Sequence, residues 1–569
     1  MTGFRLSIRS AVFYWRAHLG VMVGTAIAGT VLVGAMLVGD SVKYSLCQSA
    51  LLRLGTIHHA MIAQGRFLPQ DLAERIEKET GAATAPVLLL RGIAMTQGDT
   101  GGEARQINNV QVIGIDPRFA GFGDGTGALS GHDEIAVNEK LAAILNLKVG
   151  DNLSIRIGKP SLFPKDAPLS MRGGDDTSRG TFTITKIMTD AELGRFSLAA
   201  GQIVPFNVFV NLKWLQEAAG VQDRVNLLLA GRGKAGSSAA FSDAVRKVWR
   251  IDDAGLSLRT IAGQGTVQLE SERIFMDPGV SEAALNDRPD GHAVGALTYL
   301  VNSISRDSNG KILSTPYSFM LALSPSINRS LGFVPPGMSD DEIILNRWLA
   351  DCLSACTGEI VRVAYYELTA ANEFVEKSRA FKVRDILEMD AIAAERDLSP
   401  KFPGLTDVER CAEWDIGMPL EKDKVADKAN EAYWNTYRAT PKAFITLKAG
   451  QKMWANRFGN LSGVRYQDGT SGSAVIAAEL MRKLDPAAAG LVFSPVRDLA
   501  LKAVSEAMDF GQLFLGMSSF LIVAGLMLTG LLFAFGIQQR AAEVGVLLAV
   551  GYRPGHVRRL LIQEGCLTA

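Results

Sequence analysis

Chemistry in this chain would have to come from its six histidines, its five cysteines or its glycine-rich turns. The histidines stand at 18, 58, 59, 132, 292 and 556. No H-E-x-x-H occurs, so no helix face offers paired imidazoles with a general base between them. His58-His59, beside an apolar segment, reads as a solvated or structural pair rather than a metal site. Cys352 and Cys356 have half of a metal-ligand spacing without a nearby histidine to complete it. Buried apolar thiols, or a bridge among Cys352, Cys356 and Cys411, are the readings left open. Gly233-Lys234 is followed by Ala235 and Gly310-Lys311 by Ile312, so neither makes a P-loop. The glycine run from Gly121 to Gly131 lacks the strand before it and the helix after it that phosphate cradling needs. A G-x-S-x-G elbow is missing as well. The expectation is a non-enzymatic chain with no catalytic, cofactor-binding or metal residues.

One patterned stretch remains, from Gln538 to Gly565. Arg540 and Glu543 open it. Val544, Leu547, Leu548 and Gly551 then share one helical face, and Gly551 followed by Pro554 ends the helix. Such a short amphipathic helix suits a membrane surface or a groove in another protein.

What positions this stretch is an uncharged run from Gly511 to Ile537, matched near the other end by one from Leu19 to Gly39. A hydrocarbon core needs roughly 20 apolar residues to cross, and each run supplies them. The first is too long for a secretory apolar region of about 7–15 residues and has no cleavage site after Gly39, so it reads as an uncleaved anchor. Arg5, Arg9 and Arg16 precede it, while Arg540, Arg553, Arg558 and Arg559 follow the second run. Positive-inside bias therefore places both outer flanks in the cytoplasm and the long middle outside. Gly20, Gly24 and Ala28 share a face of the first run, either for close helix contact or as lipid-facing small residues. With 59 Lys+Arg against 59 Asp+Glu, the chain has no basic excess with which to hold nucleic acid.

Self-comparison shows the middle to be repetitive. Asp133 to Ala142 matches Asp341 to Ala350, and the same offset carries through Gly150/Gly358 and Ile155/Val363. Val208 to Lys213 matches Ala443 to Lys448, and Ala254-Gly255-Leu256 matches Ala489-Gly490-Leu491 at a larger offset, so the second copy has gained residues in between. Asn138 and Asn346 are plausible N-caps of short helices. Alternation in Leu153 to Ile157 and Val361 to Tyr365 reads as half-buried strands. The fold class expected is α+β extracytoplasmic tandem domains flanked by two transmembrane α-helices. Boundaries fall at 1–18 (cytoplasmic), 19–39 (span), 40–262 (copy one), 263–292 (connector), 293–510 (copy two), 511–537 (span) and 538–569 (cytoplasmic). Two loops are expected to be long, Lys159–Arg179 and an insertion at about 390–442. Trp414, Tyr433, Trp434 and Tyr437 in the latter suit either partner or apolar-substrate contact, or a satellite core.

The stretch after the second span resembles the FtsX-like permease family of ABC transporters, whose pattern R-x-x-E-[IV]-G-[IV]-L-x-A-[IVL]-G is met by Arg540, Glu543, Val544, Gly545, Val546, Leu547, Ala549, Val550 and Gly551, with Glu564 beyond. Val112 to Pro117, Glu134 to Ala142 and Gly150-Asp151 are similar to segments of the MacB-like periplasmic domain. The chain departs from the family in its doubled external domain and in stopping where a third span would begin. The resemblance implies a permease in the inner membrane that couples ATP hydrolysis by a separate cytoplasmic ATPase to export or release of substrate. It also implies a second permease chain, homo- or heterodimeric, and a coupling role for Arg540, Glu543, Val544, Gly545, Leu547, Leu548, Ala549, Gly551 and Glu564. Against it stands a membrane-anchored binding or scaffold protein, or a mechanotransmitter regulating an envelope hydrolase.

Overall fold

Apolar residues run through the middle of the chain in two patterns: alternating stretches such as Val361 to Tyr365 fold as strands that bury one face, and continuous ones such as Val208 to Val210 and Leu227 to Ala230 as strands buried on both. The structure is a computed structural model describing residues 3–63, 65–96, 105–125, 131–160, 177–199, 201, 203–233, 237–261, 265–286, 293–369, 371, 373–393, 395–402, 404–467, 472–506 and 510–568. Much of the glycine run after Gly125 and most of the loop expected at 159–179 lie outside these residues. Two units are distinct: residues 1–53, 197–203 and 497–569 form one, residues 54–196 and 204–496 the other.

The second unit holds the strands. In chain order they are β1 (His59–Ile62), β2 (Leu68–Pro69), β3 (Thr84–Thr96), β4 (Gln106–Ile115), β5 (Glu134–Asn138), β6 (Asn152–Gly158), β7 (Thr177–Met188), β8 (Asn207–Asn211), β9 (Arg224–Val225) and β10 (Leu227–Ala230). They continue as β11 (Leu256–Ile261), β12 (Thr266–Ser271), β13 (Ala293–Ser308), β14 (Lys311–Leu323), β15 (Glu342–Asn346), β16 (Ile360–Leu368), β17 (Phe374–Leu387), β18 (Ala443–Thr446), β19 (Gly463–Gln467) and β20 (Phe493–Ser494). One nine-stranded sheet has the order β20-β1-β10-β3-β4-β8-β5-β7-β6, the other β11-β12-β19-β13-β14-β18-β15-β17-β16. β3 also pairs with β6, and β13 with β16. Six strands thus close on themselves in each sheet, and three extend from the long strand. The two orders correspond strand for strand, down to the parallel pairs β4–β8 and β14–β18.

Local chemistry follows the same correspondence. Asn138 accepts from Leu141 N at 3.2 Å and Asn346 from Leu349 N at 2.7 Å, each capping the helix after its strand. Ile155 and Ile157 are buried while Arg156 between them is not, and Val361 and Val363 flank an exposed Arg362 in the same way. A methyl added at Gly114 of β4 would come within 2.9 Å of Leu215 Cδ2 on the helix packed against it. At the equivalent place in the other sheet the sizes are reversed: Ala322 lies in the strand, and Gly450 lies on the helix Leu447–Trp454, where a methyl would collide with the Ala322 side chain. Either arrangement gives the helix room, and mixing them removes it. Gly450→Leu is therefore expected to cost about 1–3 kcal/mol or more by overpacking. Adding Ala322→Gly should restore most of that loss, as read by chemical denaturation of single and double variants.

The boundaries at 262 and 293 do not separate the sheets. β11 lies inside the span assigned to copy one, yet it pairs with β12 at the edge of the second sheet. β20 lies inside the span assigned to copy two, yet pairs with β1 at the edge of the first, through Ala60↔Ser494 and Met61↔Phe493. Each sheet is finished by a strand from the other's stretch of chain. Within the expected connector, β12 and the helix Pro278–Leu285 are regular elements of the second sheet's side, while 263–264 and 287–292 lie outside the described residues. One continuous core of buried side chains runs from Met61 to Phe493 across both sheets, and a smaller cluster around Leu323, Leu331 and Phe444 lies apart from it. The guanidinium of Arg66, which pairs with Asp277, donates to Ala489 O at 2.8 Å and ties the two stretches further.

The first unit is helical. Gly3–Phe13 is followed by the 40-residue helix Trp15–Leu54, about 60 Å long at 1.5 Å per residue and so far longer than the run expected at 19–39. The second long helix is Phe510–Gln539, with 30 residues. These are long and apolar enough to cross a membrane. Gly20, Gly24 and Ala28 face this second helix. A methyl on Gly24 would lie 2.7 Å from Thr529 Oγ1, and one on Gly525 would lie 3.2 Å from Ala28 Cβ. Helix contact, rather than lipid exposure, accounts for that small-residue face. Short helices Ala541–Ala549 and Pro554–Thr568 complete the unit, separated by Gly551 in the left-handed region (φ 97°).

Candidate functional site

Polar residues at Ser7, Ser10, Tyr14 and His18 are spaced by three or four and so share one helical face. Tyr14 N donates to Ser10 O at 2.9 Å and His18 N to Tyr14 O at 3.2 Å, which carries helical bonding through the junction at Tyr14. Against this face stand Arg540, at the break after Phe510–Gln539, and Glu564 of the terminal helix.

Arg540 donates from Nη1 to Glu564 Oε1 at 2.7 Å, from Nε to Glu543 Oε2 at 2.8 Å and from Nη2 to Ser10 Oγ at 2.5 Å. Its guanidinium carbon lies 3.9 Å from the Tyr14 ring centre. Glu564 also accepts from His18 Nε2 at 2.7 Å and from Ser10 Oγ at 3.0 Å. Exposure is 8% for Arg540, 7% for His18 and 3% for Glu564. Burial pulls the Arg540 pKa down, but the hydrogen bonds and charges of Glu543 and Glu564 outweigh it, so the guanidinium ends above its ordinary value and stays charged. A charge this buried persists only because its bonds are filled. The knot joins the N-terminal helix, the first long helix, the break and the terminal helix.

The expected coupling residues divide by this geometry. Arg540 and Glu564 turn inward and hold the segment in place. Glu543, Val544 and Leu547 are half-buried, with Val544 and Leu547 lining a recess that also includes Leu6 and Leu560. Gly545, Leu548, Ala549 and Gly551 are exposed, as are Val546 and Val550 at 61% and 73%. Sequence reasoning missed Ser10, Tyr14 and His18, although their helical spacing was the available signal.

The aromatic residues of the segment at 390–442 are not a contact surface. Trp414, Tyr433 and Trp434 are 9%, 3% and 3% exposed, and Tyr437 is half-buried. Tyr433 Oη donates to Thr440 O at 2.9 Å and accepts from Asn346 Nδ2 at 3.0 Å, while Trp434 Nε1 donates to Glu409 O at 3.0 Å. Trp434 meets Trp414 edge-on at 5.2 Å and lies over Phe319 of β14 at 6.5 Å. Apolar area without a neighbouring sheet would stay wet, so the segment folds back and buries it in the core it shares with the second sheet, rather than in a satellite core of its own. Glu395 in the same segment meets Arg465 of β19 in a two-pronged ion pair at 2.7 and 2.9 Å, with the side chains 4% and 1% exposed.

No protein-family model matches the sequence, and no curated protein matches it. Among solved structures the chain is similar to the periplasmic region of MacB from Actinobacillus actinomycetemcomitans, at 10% identity and TM-score 0.23 over 35% of this chain and 84% of that one. It is also similar to the extracellular domain of the noncanonic ABC-type transporter YknZ from Gram-positive bacteria, at 11% identity and TM-score 0.23 over 35% of this chain and 94% of that one.

Cys352, Cys356 and Cys411 are unbridged, and burial raises the Cys411 and Cys352 thiol pKa values, which suppresses thiolate. Among the described residues no group of three or more His, Cys, Asp or Glu gathers as metal ligands would. The site is a filled polar knot beneath a short helix that exposes Val546 and Val550.

Proposed function

We propose that the chain is a permease subunit of an ABC-type transporter, working with a separate cytoplasmic ATPase and a second permease chain in the inner membrane. In this reading 1–18 and 538–569 are cytoplasmic, the two long helices span the bilayer, and the strand-rich middle is a duplicated extracytoplasmic domain whose movement exports or releases substrate. The observation that carries it is the Arg540–Glu564–His18 knot. A push on Ala541–Ala549 has a charged, fully bonded route into the first long helix, and a passive tether needs none. In chain order the first long helix ends at Leu54 shortly before β1, and β20 is followed by Val496–Glu506 and the second long helix. Linked elements with discrete packings are what a two-state transmission requires.

The exposed face of this short helix, which carries Val546 and Val550, is the docking surface, so Val546→Asp and Val550→Asp are the variants to make. Each should reduce co-purification of the ATPase at least tenfold, because a hot-spot residue costs about 2 kcal/mol or more when lost. The variants should keep the wild-type melting temperature. Undiminished capture by both would overturn the assignment, and the membrane-anchored scaffold would then be preferred.

A further inference from the structure

Lys442 lies just before β18, at the base of the segment 390–442, and is 2% exposed. Its Nζ donates to Asn430 Oδ1 at 2.6 Å, reaches Thr315 Oγ1 at 3.5 Å, and faces the rings of Trp348 at 4.5 Å and Tyr433 at 4.7 Å. None of these partners is a carboxylate. The helix Lys428–Tyr437 supplies Asn430 and Tyr433, β14 supplies Thr315, and the helix Arg347–Leu353 supplies Trp348. The titratable and charged groups that act on the amine from the elements around it are Cys352, Cys411 and Asp427, the last of which caps the Lys428–Tyr437 helix by accepting from Asn430 N. In the other sheet the equivalent residue is Asn207, a neutral amide donating to Gly194 O and Phe196 O. A lysine with neutral oxygens and two aromatic faces is poorly compensated for leaving water, because cation–π contacts return only a small part of what desolvating the ammonium costs.

We propose that the segment 390–442 is a proton-operated flap, docked on the second sheet when Lys442 is neutral and loosened when Lys442 takes up a proton. Burial lowers its pKa from 10.5 to about 7, against small opposing effects of Cys352, Cys411 and Asp427. Once the flap lifts, the amine regains its solvent value. Docking therefore releases a proton from Lys442 as pH rises above about 7: it strengthens toward pH 9, where the buried Cys411 thiol, raised from its ordinary value, begins to oppose it, and it weakens as pH falls toward 7, with no further change below. Burial moves the cage's other titratable side chains upward, Cys352, Cys411 and Tyr433 alike. Exchange of one proton for docking gives a tenfold change per pH unit.

Hydrogen exchange on the full-length chain in detergent, corrected for intrinsic rates, reads the flap directly in peptides covering 404–437. Wild type should show an opening constant that falls roughly tenfold per unit between pH 7.5 and 9 and levels off below pH 7. Lys442→Met, and Lys442→Asn as the residue of the other sheet, should be flat across that range. Lys442→Arg, which keeps its proton, should be flat and open. A flat wild-type profile, or an unchanged slope in Lys442→Asn or Lys442→Met, would overturn the proposal. If Lys442→Met fails to fold, Lys442→Asn decides it.

Discussion

Arg465→Met should destabilise the strand-rich unit by about 3–5 kcal/mol, because it strands Glu395 as an uncompensated buried carboxylate. Glu395 is 3% exposed and accepts from both terminal guanidinium nitrogens of Arg465. Arg465 also donates to Gln268 Oε1 at 3.2 Å and Leu331 O at 3.2 Å, which would lose their partner too. Glu395→Leu should cost a comparable amount by the reverse logic. The pair is not itself a large source of stability, since two desolvated charges repay little more than they cost. Arg465→Met with Glu395→Leu is therefore expected to recover most of the loss and to lie within about 1 kcal/mol of wild type or above it. Urea unfolding followed by tryptophan fluorescence measures all four species. Equal, additive losses in the double variant would show that the charges act independently. Because Glu395 belongs to the segment that Lys442 also anchors, the single variants should raise hydrogen exchange there before the rest of the unit unfolds.

How far the sequence carried is best judged at such places. Asn138 and Asn346 were legible as caps because capping is local: a side chain and an amide three residues on. The strands around Ile155 and Val363 were legible because alternation is local as well. The exchange of β11 and β20 was not. β20 is only two residues long, and its pairing with β1 joins residues more than 400 apart, a choice settled by tertiary packing rather than by propensity. The closure of six strands through β3–β6 and β13–β16 was hidden for the same reason. Trp414, Tyr433 and Trp434 could equally have lain outside or inside, since composition does not say which face meets a neighbour; Phe319 and Asn346 decide it. At the knot, Arg540, Glu543 and Glu564 stood out as charges beside apolar runs. Ser10, Tyr14 and His18 obeyed the helical spacing just as well but were overshadowed by the uncharged run that begins at Leu19.

Glu564→Leu tests whether the knot only stabilises or also transmits. Its carboxylate accepts from Arg540, His18 and Ser10, so truncation leaves one charge and two polar groups short of an acceptor. A loss of about 3–5 kcal/mol is expected, softened to the extent that Glu543 still holds Arg540. Arg540→Met should cost a similar amount, leaving Glu564 without its guanidinium partner. Together, Arg540→Met and Glu564→Leu replace the ion pair with apolar volume, and thermal stability in detergent should recover most of the loss, falling short of wild type by what His18 and Ser10 lose with their acceptor. Transmission should not return with it. An apolar contact is less directional than a guanidinium fixed by Glu543, Glu564 and Ser10, so a displacement of Ala541–Ala549 would be absorbed by slippage instead of reaching the first long helix. On the permease reading, the double variant would bind the ATPase normally while ATP-dependent activity of the assembled complex falls at least tenfold. Recovery of both stability and activity would reduce the knot to a structural fastener, and the route from the short helix to the membrane spans would have to run through the apolar recess of Leu6, Val544, Leu547 and Leu560 instead.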